Sequence, residues 1–180
     1  MSTENHPIEE TTTGRFDYHV RPMAPSDYPV LGDLIYYAIF VPSEADPPPK
    51  DIVNSPEVIV YIEDFGREND FGVVAEHDGQ ILGAAWARQI HADGYVDDET
   101  LELAISLFPG YRGQGVGSAL LTQLFELLQK QGHLRVSLSV FKNNPALRLY
   151  ERMGFKFVRE GKDDFIMLKI LPQKKAIRIA

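Results

Sequence analysis

Cysteine is absent from the 180-residue sequence, which excludes disulfides, thiolate zinc sites and a cysteine nucleophile. Five histidines are scattered along the chain without the spacing of metal ligands, so we expect no bound metal. No stretch approaches the roughly 18 consecutive apolar residues of a membrane span. Residues 1–10 also lack the basic and apolar regions of a signal peptide. We therefore expect a cytoplasmic protein with no membrane partner.

Basic residues are few: 18 Lys and Arg stand against 26 Asp and Glu, a formal net charge of −8. Phosphate backbones require surfaces rich in Lys and Arg, so we expect no nucleic-acid partner. An acidic balance is compatible with a cationic small substrate, but it also serves solubility alone. The length and a hydrophobic content of 44% indicate one globular domain with a sizeable core.

The pattern along the chain separates an arm from a folded domain. Residues 1–15 are rich in Thr and Glu and nearly free of large apolar residues, which predicts a disordered N-terminal arm. Residues 16–180 form the single predicted domain, in the order β-α-α-β-β-β-α-β-α-β-β. Asp78-Gly79 predicts a tight hairpin turn between two β-type runs. This order indicates an α/β or α+β sheet with helices on its faces.

The segment "PGYRGQGVGSALL", residues 109–121, lies between the apolar strand "LELAISLF" and a helix predicted from about Gly115 to Lys130. Free N–H groups at a helix N-terminus attract anions, and glycines let a phosphate approach the backbone. A tight turn without a ligand is the alternative. The segment lacks the lysine of a Walker A loop, and Leu120 replaces the third glycine of a dinucleotide fingerprint. Both common nucleotide interpretations are therefore disfavoured.

Two segments together resemble the GNAT N-acetyltransferase superfamily. "YRGQGVGSALL" is similar to its motif A, Arg/Gln-x-x-Gly-x-Gly/Ala, and "NNPALRLYERMGF" is similar to its motif B. The motif B matches are Asn143, Ala146, Leu149, Tyr150, Gly154 and Phe155. The resemblance covers about residues 17 to 171 and implies a mixed, mostly antiparallel sheet of about seven strands with about four helices. It further implies that the sheet is splayed between the strands that precede the two motifs.

The resemblance implies acetyl-CoA as cosubstrate, bound in the splayed sheet, and no metal. Its activity would be acetyl transfer to a primary amine of a small molecule or protein by direct attack. The alternatives are an acyl-CoA sensor of the same fold without turnover and, disfavoured above, a nucleotide-binding regulatory domain of another fold. Many relatives dimerise, so a homodimer is a further expectation. The implied cofactor-binding residues are Ile105, Leu107, Arg112, Gly113, Gln114, Gly115, Val116, Gly117, Ser118 and Asn143.

Catalytic roles follow from the same resemblance. Tyr150 is the candidate general acid that protonates the leaving sulfur, and its alternative role is an ordinary core aromatic. Glu102 is the candidate base for the amine, and its alternative is a solvated strand residue. Asn143 would bond the pantetheine arm or shape the turn beside it; an extra turn-former next to the cap residue Asn144 is the alternative.

The sequence evidence for the residues that bind the acceptor amine is less specific. Tyr36, Tyr37 and Phe40 are candidates for the wall of an acceptor pocket, or else they belong to the core or a dimer interface. The acidic run at residues 97–99 would attract a cationic amine, unless it is only a solvated loop.

Overall fold

The computed structural model describes residues 17–42 and 44–173, so the predicted arm at residues 1–15 lies outside the described residues. The secondary structure follows the predicted order. Its elements are β1 His19–Pro22, α1 Leu31–Ala38, α2 Pro56–Ile59, β2 Phe71–His77, β3 Gln80–Arg88, β4 Leu101–Leu107, α3 Val116–Lys130, β5 Arg135–Phe141, α4 Leu147–Arg152, β6 Lys156–Glu160 and β7 Asp164–Ile170. Within the described ranges, no helix is both long enough and apolar enough to cross a membrane.

The seven strands form one sheet in the order β1-β2-β3-β4-β5-β7-β6. All neighbours are antiparallel except β4 and β5, which run parallel. These two strands pair only at Leu101 with Val136 and at Glu102 with Ser137. Beyond Glu102 they diverge, which confirms the predicted splay between the strands that precede the two motifs.

Helices cover both faces of the sheet. On β4, Leu101 and Leu103 belong to the larger apolar core, beneath α3 and α4. The alternate residue Ala104 packs against the smaller core, which includes α1. Successive side chains of β4 therefore reach different layers, and those of Glu102 and Ser106 lie on the α1 side.

Two predicted helices differ in extent from the sequence pattern. Ser26 or Asp27 suits the cap of the first helix by residue type. The α1 helix instead begins at Leu31, after a 3₁₀ helix at residues 25–30, so neither residue caps it. The Asp27 carboxylate instead accepts hydrogen bonds from Arg21 and from the Ala24 N–H. The α2 helix has only four residues and continues as turns, because the β-branched run after Pro56 has low helix propensity.

The β2–β3 turn is built as predicted, with positive φ at both central residues, 48° at Asp78 and 78° at Gly79. A Gly79→Ala substitution is expected to lower the free energy of unfolding by about 1 kcal/mol, because an alanine Cβ is strained at this φ. Gly32→Ala, in α1 with no atom within 4 Å of its added Cβ, is the control and should stabilise by up to about 1 kcal/mol. Urea denaturation measures both, and an unchanged Gly79→Ala protein would show that the turn can change conformation freely.

Candidate active site

A cleft of about 790 Å³ opens where β4 and β5 part. Its walls come from the end of β4, the start of α3, the α4 helix and the chain that follows α1. The structure thus brings both sequence motifs to one place. The predicted site residues that line the cleft are Ile105, Leu107, Arg112, Gly113, Gly115, Gly117, Ser118 and Tyr150.

The N-terminus of α3 faces this cleft. Gly113 and Gly115 adopt φ of 73° and 84°, and a Cβ at either position would meet nothing within 4 Å. No side chain caps the first N–H groups of the helix. These free donors, the helix dipole and the open space beside the glycines fit a bound pyrophosphate.

The Arg112 side chain at the cleft edge is held by hydrogen bonds to two backbone carbonyls. Its guanidinium donates to the carbonyl oxygens of Tyr37 at 2.8 Å and of Leu107 at 3.4 Å. The side chain therefore ties the end of α1 to the end of β4 at the cleft edge. Arg148 and Arg152, one turn apart on α4, also line the cleft and were missed by the sequence analysis. The sequence pattern that could have indicated them is the spacing of two arginines at i and i+4 on the motif B helix, which places both on one helix face.

The cleft edge of β4 presents peptide groups that no strand pairs, although the Leu107 carbonyl accepts from Arg112 at 3.4 Å. The N–H of Phe108 donates to the carbonyl of Leu82 at 2.9 Å, so the even-numbered peptide groups of β4 face β3. The peptide groups of Ile105 and Leu107 consequently point to the side that β5 has left. This edge can pair with an extended amide-containing chain, as the resemblance implies for pantetheine.

Three predicted cofactor-binding residues do not line the cleft. Gln114 donates to the Gly110 carbonyl at 3.0 Å, and Val116 is buried in the larger core. The Asn143 residue is exposed, whereas Asn144 lines the cleft, and its side chain accepts from the Ala146 N–H at 2.9 Å in the turn before α4. The N-cap of α4 is Ala146, so the expectation that Asn144 caps this helix is wrong. Adjacent asparagines cannot be assigned from the motif alone, because the turn decides which of them faces inward.

Tyr150 lies in the cleft on α4, with its ring edge against Phe155 at 5.8 Å between centroids. The structure records no hydrogen-bond partner for its hydroxyl among the described residues. Burial raises the pKa of Tyr150 to about 12. The phenol therefore stays protonated at neutral pH and keeps its proton available for a bound molecule.

Glu102 is 1% exposed and does not line the cleft. It lies where β4 and β5 separate, and its carboxylate accepts from the Tyr61 hydroxyl, from the Gly94 N–H at 2.6 Å and from the Ala92 N–H at 3.2 Å. Burial raises the pKa of Glu102, while these three donors act in the opposite direction. The alternative of a solvated strand residue is therefore wrong, and the base role remains a prediction.

The acidic run at residues 97–99 also lies outside the cleft. Asp97 pairs with Arg135 at 2.7 Å and accepts from the Thr100 hydroxyl at 2.7 Å. Asp98 accepts from the Tyr95 hydroxyl at 2.9 Å and pairs with His91 at 3.0 Å. These bonds lower the pKa of both carboxyl groups. The carboxylates of Asp97 and Asp98 thus serve in local hydrogen bonds and ion pairs outside the cleft.

An open sheet with a glycine-rich helix N-terminus and a cleft phenol defines an acetyltransferase-type fold. The family model described as the acetyltransferase (GNAT) family matches residues 38–155, more than half of the chain. The chain belongs to this family.

Known relatives agree with that assignment. An N-acetyltransferase of Mycobacterium tuberculosis is 40% identical over 86 residues, covering 47% of this chain and 51% of the relative. The chain thus matches about half the length of that relative. The phosphinothricin N-acetyltransferase of Streptomyces viridochromogenes is 27% identical over 161 residues, covering 86% of this chain and 78% of the relative. The structure of the acetyltransferase YncA from Salmonella typhimurium with acetyl-CoA has a TM-score of 0.64 and 19% identity, covering 91% of this chain and 99% of that one. At that identity the likeness shows the fold.

Proposed function

We propose that the protein is an acetyl-CoA-dependent N-acetyltransferase that acts on a primary amine of a small molecule or a protein. The observation that carries the proposal is a single cleft that holds an uncapped helix N-terminus, a free β4 edge and the Tyr150 phenol. The acetyl-CoA in the related YncA structure supports the choice of donor.

Each part of the cleft has a distinct task in this proposal. The N–H groups at the start of α3 hold the pyrophosphate, and the peptide groups of Ile105 and Leu107 align the pantetheine amides. The amine nitrogen attacks the thioester carbonyl, the C–N bond forms and the C–S bond breaks. Tyr150 donates its proton toward the departing sulfur.

The amine must also lose a proton, because an alkylamine of pKa about 10.4 is mostly charged at neutral pH. The Glu102 carboxylate lies outside the cleft lining, at the point where β4 and β5 separate, and it already holds three donors. Glu102 would therefore have to receive the proton of the amine through a bridging group such as a water molecule. Glu102 is the proposed base, and the kinetics of a Glu102→Gln variant test this role.

Thiol release from acetyl-CoA, measured against a panel of primary amines, tests the proposed function. We expect amine-dependent release and a product whose mass is increased by one acetyl group. Calorimetry with CoA alone provides the parallel binding measurement. CoA binding without thiol release on any amine would favour an acyl-CoA sensor of the same fold. Absence of CoA binding would contradict both the acetyltransferase and the sensor.

A further inference from the structure

Ser106 lines the cleft from the α1 side of β4 and carries a buried hydroxyl. The residue is 5% exposed, and its Oγ has no hydrogen-bond partner among the described residues. Ser137, on the neighbouring strand β5, also has a buried hydroxyl without a partner, but it does not line the cleft. The two serines therefore share burial and chemistry and differ in access to the cleft.

An unpaired buried hydroxyl is unfavourable, and most such groups in folded proteins have a partner. At Ser106 a molecule bound in the cleft can supply that partner. A hydroxyl oxygen accepts a hydrogen bond from an amine N–H and leaves the nitrogen lone pair free for attack. Ser106 thus has the chemistry to hold an acceptor amine beside the β4 edge.

Aromatic side chains surround this part of the cleft. Tyr36 and Tyr37 meet edge to face at 5.5 Å between centroids, and Tyr37 meets Phe108 in the same way at 5.6 Å. The Tyr36 hydroxyl donates to the Pro48 carbonyl at 2.8 Å, which fixes this ring and satisfies its polar group. Phe40 contacts Phe141 at the end of β5. The wall on this side is therefore apolar and held in place.

The charges in the cleft are all of one sign. Among the described residues that line it, Arg112, Arg148 and Arg152 are the charged ones, and no carboxylate is present. The carboxylates of Glu102, Asp97 and Asp98 lie outside the cleft lining and are bound to their own partners. A second cationic group on an acceptor would meet no carboxylate among these lining residues.

Resting on the proposed function, we propose that the acceptor is a primary amine with a single positive charge and an apolar or aromatic body. The body packs against Tyr36, Tyr37 and Phe40, and the amine donates a hydrogen bond to Ser106 Oγ. The acidic run at residues 97–99, which favoured a cationic acceptor in the sequence, is excluded from this role by its position.

Initial rates with phenethylamine and spermidine at fixed acetyl-CoA test the acceptor class. We expect kcat/KM for phenethylamine to exceed that for spermidine by at least about tenfold. Equal rates or a preference for spermidine would overturn this proposal and leave the proposed function standing. Absence of acetylation on every amine would overturn both.

The matched pair Ser106→Ala and Ser137→Ala tests the contact itself. Ser106→Ala should raise the KM for phenethylamine about tenfold, the loss of one hydrogen bond, with the KM for acetyl-CoA within about twofold. Ser137→Ala should leave both constants within about twofold of the wild-type values. Neither change should lower the melting temperature, because each removes an unpaired buried hydroxyl. An unchanged amine KM in Ser106→Ala would overturn the assignment of Ser106.

Discussion

A Tyr150→Phe variant is expected to lose about 100-fold or more in kcat, with the KM for acetyl-CoA changed by less than about threefold. The substitution removes the proton donor for the departing sulfur and keeps the ring that packs against Phe155. Steady-state thiol release under saturating amine measures both constants. Because the hydroxyl has no partner among the described residues, the variant should be at least as stable as the wild type.

Tyr18→Phe is the control for this measurement, since Tyr18 packs against the larger core and does not line the cleft. Its kcat should stay within about twofold of the wild-type value. Turnover in Tyr150→Phe equal to that of the control would reject the acid role and leave the phenol as a packing residue.

The second large effect is expected at Glu102. A Glu102→Gln variant should lose about 2–4 kcal/mol in free energy of unfolding, measured by urea denaturation. Three donors meet the native carboxylate, and an amide must turn an N–H₂ group toward at least one of them. The surrounding chain has little freedom to adapt, because a Cβ on Gly94 would lie 2.9 Å from the backbone of Leu138 and of Ser139.

Glu99→Gln is the matched control, since Glu99 is exposed in the adjacent loop, and it should change stability by less than about 0.5 kcal/mol. Unchanged stability in Glu102→Gln would contradict the anchoring role. A large loss of kcat with unchanged stability would support Glu102 as the base. The kinetic and folding measurements therefore separate the two roles.

The stability difference between wild type and Glu102→Gln should also depend on pH. Burial raises the pKa of Glu102 above its ordinary value of 4.5, so the folded state binds this proton more tightly than the unfolded state does. The linked stability is fully present below about pH 4.5 and is lost as pH rises through the folded pKa. The difference in free energy of unfolding between wild type and Glu102→Gln should therefore decrease as pH rises from about 4.5 through the folded pKa of Glu102. An increase in this difference would contradict the raised pKa.

The order of strands and helices, the Asp78-Gly79 turn and the start of α3 could be predicted because each depends on nearby residues. Positive φ at Gly79 and Gly115 is a local requirement, and glycine meets it whatever the tertiary structure around it. The helical spacing of Val58, Tyr61, Ile62 and Phe65 predicts a longer α2 helix than the four residues Pro56–Ile59, because spacing ignores the low helix propensity of the β-branched residues.

By itself, the sequence determined the family, the glycine-rich α3 N-terminus and the presence of a tyrosine on the motif B helix. Only the tertiary structure decided that Glu102 is bound by Tyr61 and the 92–94 loop, that Asn144 faces the cleft, and that Ser106 has an unpaired hydroxyl. The physical reason is that turns and helix ends depend on the conformation of a few consecutive residues. Burial, pKa and hydrogen-bond satisfaction depend on which distant segments pack together. The glycine-rich start of α3 follows the local motif, whereas the aromatic wall of the cleft is decided by packing between α1 and β4.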